Sequence, residues 1–121
     1  MTSITREQVK QALDKGVTLV DARDPEDYEQ GHLPNAISIP AADVQSDAPQ
    51  LLQSKNEKII TYCGGGACPK SQEAADALRE LGYTNVSEYS GGMQEWQGAG
   101  GQIDKGAANN SGSAGNTWAA A

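Results

Sequence analysis

The chain of 121 residues carries 16 acidic and 9 basic side chains, a formal net charge of −7. That length suits one domain of about 100 residues with a single hydrophobic core, and a second catalytic domain is not expected. The acidic excess argues against a nucleic-acid surface and gives no general attraction for anionic substrates, so any anion has to be held by local features.

Thr5 and Gln8 form a capping-box pattern, and Val9, Ala12 and Leu13 supply the apolar stripe of a short helix ending at Gly16. Val17 to Asp21 is short and β-branched and reads as a buried strand, ended by the polar run from Ala22 to Pro25. Pro25 opens a brief helix through Tyr28, and Gly31 to Asn35 is a turn-rich connection into a second short strand, Ala36 to Ile39. Ala41 to Gln53 has a partly helical pattern divided by Pro49. Lys58 to Tyr62 is a β-branched run expected as the central strand. Ala74, Ala77, Leu78 and Leu81 repeat on one helical face and Gly82 follows as a cap, so a helix is expected from Cys68 or Pro69 to Leu81. Val86 to Tyr89 is a last strand, and Gly91 to Trp96 is a turn entering a final helical turn or two.

Glycine, alanine, asparagine and serine dominate the end of the chain without any amphipathic period. Residues 1–98 are therefore expected to form the domain and 99–121 a disordered tail, with Trp118 its only large side chain. Strands alternating with helices imply an α/β domain, a mainly parallel sheet with helices on both faces and ligands at the carboxyl ends of the strands. No apolar stretch approaches the about 20 residues of a membrane span, and Met1 to Arg6 lacks the apolar centre of a signal peptide, so the expected location is the cytoplasm, with a mature exported form as the alternative, and no membrane partner is implied.

Both cysteines fall in one segment, Tyr62-Cys63-Gly64-Gly65-Gly66-Ala67-Cys68-Pro69-Lys70, where the apolar run gives way to the helical pattern. The glycines permit positive φ and close approach of the main chain, and can turn several N–H groups inward as a nest for an anion. The helix that follows points its positive end at the loop, and a cysteine held by amides at such an end has its thiolate favoured. Cys63 is thus a candidate nucleophile on local grounds alone. In a reducing compartment a close cysteine pair reads as redox, metal-binding or catalytic before it reads as a staple. Two thiols make a poor zinc site and His32 is the only histidine, so no metal is expected.

Taken in order, Val20-Asp21-Ala22-Arg23, the stretch from Tyr28 to Ala36, Tyr62-Cys63 with Gly66, and Gly91-Gly92-Met93-Gln94-Glu95-Trp96 resemble a single-domain rhodanese, over about residues 4 to 98. The resemblance implies the rhodanese-like fold and a sulfurtransferase without cofactor. It makes Cys63 the nucleophile that takes sulfane sulfur from thiosulfate or a persulfide donor, and Gly64, Gly65, Gly66, Ala67 and Cys68 the loop around its sulfur. The acceptor would be cyanide or a cellular thiol. It also suggests that Asp21 and Arg23 form a structural charge network rather than a catalytic pair, in keeping with the pairing of buried charges.

Two departures from that pattern matter. Related domains often carry an arginine in the loop, whereas here the nearest cation is Lys70, a candidate substrate-anion contact just beyond it. That favours a neutral or protein-bound persulfide donor over thiosulfate. The second departure is Cys68, a candidate resolving thiol able to attack a persulfide or sulfenic acid on Cys63, with a small residue at a helix start as the plainer reading. Dual-specificity phosphatases, which have a related fold, place an arginine where this chain has Pro69, and without its bidentate grip phosphatase activity is disfavoured. A thiol redox switch using Cys63 and Cys68 and a noncatalytic binding module remain as alternatives, the intact cysteine arguing against the module. His32 reads as a turn residue bonding backbone before it reads as a base. Tyr89 and Trp96 read as packing residues, and Glu26 and Glu29 as a solvated helix face.

Overall fold

Four short apolar segments become the strands β1 (Thr18–Asp21), β2 (Ala36–Ser38), β3 (Ile59–Tyr62) and β4 (Val86–Tyr89) of a computed structural model that describes residues 4–65 and 68–106. They pair in parallel in the order β2-β1-β3-β4. Both β1 and β3 are therefore interior, and every residue of β3 is buried. Parallel strands covered on both faces read as continuous apolar runs, which is the pattern of Ile59-Ile60 and Leu19-Val20.

Alternation along the strands divides the core. Val20, Ile59 and Val86 pack with residues of α3 (Val44–Leu51) and α4 (Lys70–Glu80). Leu19, Ile60, Tyr62 and Tyr89 pack with α1 (Arg6–Asp14), α2 (Pro25–Gln30) and α5 (Gly92–Gly98). The small Ala74 and Ala75, fully buried, let α4 lie close to the sheet. The capping box of α1 forms as expected, with Thr5 Oγ1 accepting from the Gln8 amide at 3.2 Å and Gln8 Oε1 from the Thr5 amide at 2.8 Å.

The chain leaves β1 toward β2 and later returns to β3 on the other side of β1. That reversal opens a crevice between the carboxyl ends of β1 and β3, the place where open parallel sheets bind ligands. The loops after Asp21 and after Tyr62 meet there, and the Ala22 amide donates to the Tyr62 carbonyl at 2.9 Å.

Two expectations need correction. Pro49 does not divide the helix: a 3₁₀ turn at Ala41–Asp43 precedes α3, and Pro49 lies inside α3. Full burial of Val44 and Ala48 against the core offsets the missing N–H of Pro49. The domain also extends beyond residue 98. The Trp96 indole donates to the Gln102 carbonyl at 2.7 Å, and His32 and Asp104 exchange backbone hydrogen bonds, each 2.9 Å. Ile103 packs on the core face that holds Trp96, so this polar stretch is fixed by one apolar side chain and by backbone pairing, neither of which has a sequence period. Residues 107–121, Trp118 among them, lie outside the described residues. Among the described residues no helix is long and apolar enough to cross a membrane.

Candidate active site

Cys63 follows the last residue of β3 and is 3% exposed. Its carbonyl accepts from the Met93 amide at 2.9 Å, and the Gly64 carbonyl accepts from the Gln94 amide at 2.8 Å, so the first turn of α5 pins the start of the loop. In a planar trans peptide N–H and C=O point oppositely. The Gly64 and Gly65 N–H groups consequently point away from the α5 amides that hold the preceding carbonyls. The Cys68 amide donates to the Gly65 carbonyl at 3.2 Å and closes the far side of the turn. Gly66 and Ala67, expected between them in the loop, lie outside the described residues.

Close approach of the loop and α5 is what the glycines permit. Gly65 has φ +122°, and a Cβ there would lie 2.6 Å from the Gly91 carbonyl oxygen. Gly92 has φ +59°, and a Cβ there would collide with the Cys63 carbonyl oxygen. Gly64 has open space around the equivalent position. Gly65→Ala and Gly92→Ala are each expected to lower stability by about 1–3 kcal/mol in urea unfolding, from left-handed strain and backbone collision together. Gly64→Ala should stay within about 0.5 kcal/mol, as substitutions away from such features do. Equal effects at all three positions would contradict this account of the clamp.

Cys63 and Cys68 are joined as a disulfide with their Cα atoms 6.4 Å apart. Cys68 is half-buried, outside the more deeply placed Cys63. The helix expected from Cys68 or Pro69 begins instead at Lys70, with Pro69 as its N-cap. Pro69 has no N–H to lose at this position, and its φ of −86° leads the chain into the helix. The Lys70 ammonium lies 3.4 Å from the Asp24 carboxylate, so the nearest cation already has an anionic partner at the surface.

Behind the loop, Asp21 is fully buried. Its carboxylate accepts from the Arg23 amide at 2.9 Å, from Arg23 Nε at 3.0 Å, from Arg23 Nη2 at 2.7 Å and from the Tyr62 hydroxyl at 3.0 Å. Arg23 Nη2 also donates to the Gly31 carbonyl at 2.6 Å, and the Leu33 amide donates to the Tyr62 oxygen at 3.1 Å. Burial disfavours the Arg23 guanidinium, but its bonds and attraction to Asp21 outweigh that and hold its pKa above the ordinary value. Burial, then the adjacent Asp21 carboxylate, pushes the Tyr62 hydroxyl far above the usual range, so it remains a donor. These contacts tie the ends of β1 and β3 to the 31–33 turn.

His32 is buried, with Nδ1 2.7 Å from the Tyr28 carbonyl and its ring stacked on Tyr28 at 3.8 Å between centroids. Its ring is engaged by α2. Among the described residues no three of His, Cys, Asp and Glu converge as metal ligands. Tyr89 and Trp96 are buried in the core, while Glu26 and Glu29 are exposed.

Three features escaped the reading of the sequence. One is Tyr62 as a partner of Asp21, for which the only signal is a phenolic hydroxyl at the end of a buried strand. Another is the use of the Met93 and Gln94 amides as anchors, signalled by the Gly91-Gly92 pair. The third is Ser71 at the start of α4, whose hydroxyl donates to the buried Glu88 carboxylate at 2.7 Å while its carbonyl accepts from the Thr61 hydroxyl at 2.9 Å.

Residues 5–99 match the family model of the rhodanese-like domain. The chain is 37% identical over 106 residues to the HTH-type transcriptional regulator Rv0324 of Mycobacterium tuberculosis, an alignment covering 87% of this chain but 46% of that protein. It is 37% identical over 76 residues to the thiosulfate sulfurtransferase PspE of Escherichia coli, covering 63% of this chain and 70% of PspE. The chain thus spans less than half of the regulator and most of the sulfurtransferase. The BH2092 protein of Bacillus halodurans superposes with a TM-score of 0.78 at 33% identity, covering 86% of this chain and 77% of that one.

Proposed function

The chain belongs to the rhodanese-like domain family, and from that premise we propose that it is a sulfurtransferase working through a persulfide on Cys63. One observation carries the proposal: a buried cysteine stands at the carboxyl end of an interior strand, at the crevice where the sheet order reverses. In the dithiol form, the Cys63 thiolate attacks the outer sulfur of the donor. A bond forms from Sγ to that sulfur, the donor's S–S bond breaks, and the leaving group departs with the electron pair as sulfite or a thiolate. A cellular thiol or cyanide then attacks the outer sulfur of the Cys63 persulfide and returns the Cys63 thiolate. Splitting one transfer into two displacements is the gain of covalent catalysis. The N–H groups of the turn stabilise the sulfur anion without a metal or a general base.

The loop residues described carry no arginine, and Lys70 is paired with Asp24. A thiosulfate dianion therefore lacks a charge-assisted grip of the kind worth about 1.5–3 kcal/mol. The expected result in steady-state transfer to cyanide is a kcat/KM about 10-fold or more lower with thiosulfate than with a low-molecular-weight persulfide, that free energy expressed as a rate. Equal, saturable use of thiosulfate would overturn the donor preference. No transfer from either donor by reduced protein would overturn the sulfurtransferase reading itself.

A further inference from the structure

We propose that Cys68 discharges the Cys63 persulfide internally, releasing hydrosulfide and leaving the Cys63–Cys68 disulfide; the inference rests on the persulfide reading above. The two Cα atoms are 6.4 Å apart, within the about 4.4–6.8 Å that a disulfide spans without backbone movement. The loop is already shaped for it, with the Cys63 and Gly64 carbonyls held by α5 and the Cys68 amide bonded to the Gly65 carbonyl.

Burial decides which sulfur each nucleophile reaches. Cys63 is 3% exposed with Cys68 bonded to it, so the outer sulfur of its persulfide is the one that an external thiol meets first. Cys68 bonds directly to Cys63 Sγ, so it is placed to reach that inner atom. Cys68 also immediately precedes the N-cap of α4, an eleven-residue helix whose positive end favours the attacking thiolate.

The step balances. The Cys68 thiolate forms a bond to Cys63 Sγ, the bond from Sγ to the outer sulfur breaks, and that sulfur leaves with the electron pair as hydrosulfide. The sulfane sulfur is reduced to sulfide while the two cysteines are oxidised to a disulfide. An external dithiol, by thiol–disulfide exchange, returns both thiols and is itself oxidised to a disulfide. The substrates of the complete cycle are a persulfide donor and a dithiol reductant, and the product is free sulfide. The disulfide present in the structure is the state that waits for the dithiol.

The test is a single turnover of the full chain, reduced, desalted and mixed with one equivalent of a low-molecular-weight persulfide. Samples are quenched with an alkylating fluorophore, and sulfide and intact protein mass are read together. Wild type is expected to release sulfide while its mass falls to that of the disulfide form. Cys68→Ser is expected to hold the added sulfur and to release sulfide at least about 100-fold more slowly, because an oriented intramolecular nucleophile has been removed. Cys68→Ala, differing in polarity, should behave as Cys68→Ser does. Wild type that retains its persulfide as long as the Cys68 variants would overturn the inference while leaving the persulfide reading intact. Failure of every form to gain sulfur or release sulfide would overturn both.

Discussion

Cys63→Ser is expected to lower sulfur transfer by at least about 10³-fold, the scale seen when a covalent nucleophile is removed. The serine hydroxyl does not ionise near neutral pH and forms no persulfide, so neither displacement has a path. The loss should fall on kcat/KM for every donor, because the missing bond forms with the outer sulfur common to them all. Stability should be compared under reducing conditions, where wild type and variant both lack the disulfide. There the change is expected to stay within about 1 kcal/mol, since thiol and hydroxyl are nearly isosteric and the turn is held by backbone bonds. Activity within about tenfold of wild type would mean that another group carries the sulfur, whatever the kinetics of the donor.

The second large effect is on folding. Asp21→Ala is expected to cost about 3–5 kcal/mol in urea unfolding, because it strands the Arg23 guanidinium in a mostly buried position and removes the acceptor of the Tyr62 hydroxyl. Such a loss is a large fraction of the about 5–15 kcal/mol that holds a domain folded. Tyr62→Phe should cost about 1–3 kcal/mol, since it removes one bond to Asp21 and leaves the Leu33 amide without its acceptor. Glu7→Gln, which breaks the exposed pair with Arg6, should change stability by less than about 1 kcal/mol. If Asp21→Ala proved as mild as Glu7→Gln, the network behind the loop would not be what holds β1 and β3 in place at the site.

Much of this was legible in the sequence because it is periodic or local. The β-branched runs locate β1 and β3, short segments bounded by turn residues locate β2 and β4, the alanine and leucine spacing locates α4, and the capping box locates the start of α1. The cysteine segment was legible for the same reason, since glycine freedom and strand-to-helix chemistry act over a few residues. What escaped depends on partners distant in the chain. The fixation of Cys63 by the Met93 amide joins residues whose proximity only the parallel pairing of β3 with β4 creates. The return of residues 99–106 rests on Ile103 and on backbone pairing with His32, and a low-complexity stretch carries no pattern that announces either. Pro49 misled because a local rule was outweighed by burial, and the exposed pairing of Lys70 with Asp24, 46 residues away, has no signal in the local sequence. The arginine absent from the described loop and the second thiol present in it were legible in sequence, and together they bear on what enters the site and what leaves it.

Every transfer step proposed for this chain passes through Cys63 Sγ as the atom that accepts sulfur. The most direct test of that role is fragment-ion mass spectrometry of Cys68→Ser and Cys63→Ser, each reduced, treated with a low-molecular-weight persulfide and blocked by alkylation. The prediction is one added sulfur on Cys63 in the first variant and none in the second. An added sulfur on Cys68 in the Cys63→Ser protein, formed as readily as in its counterpart, would contradict it.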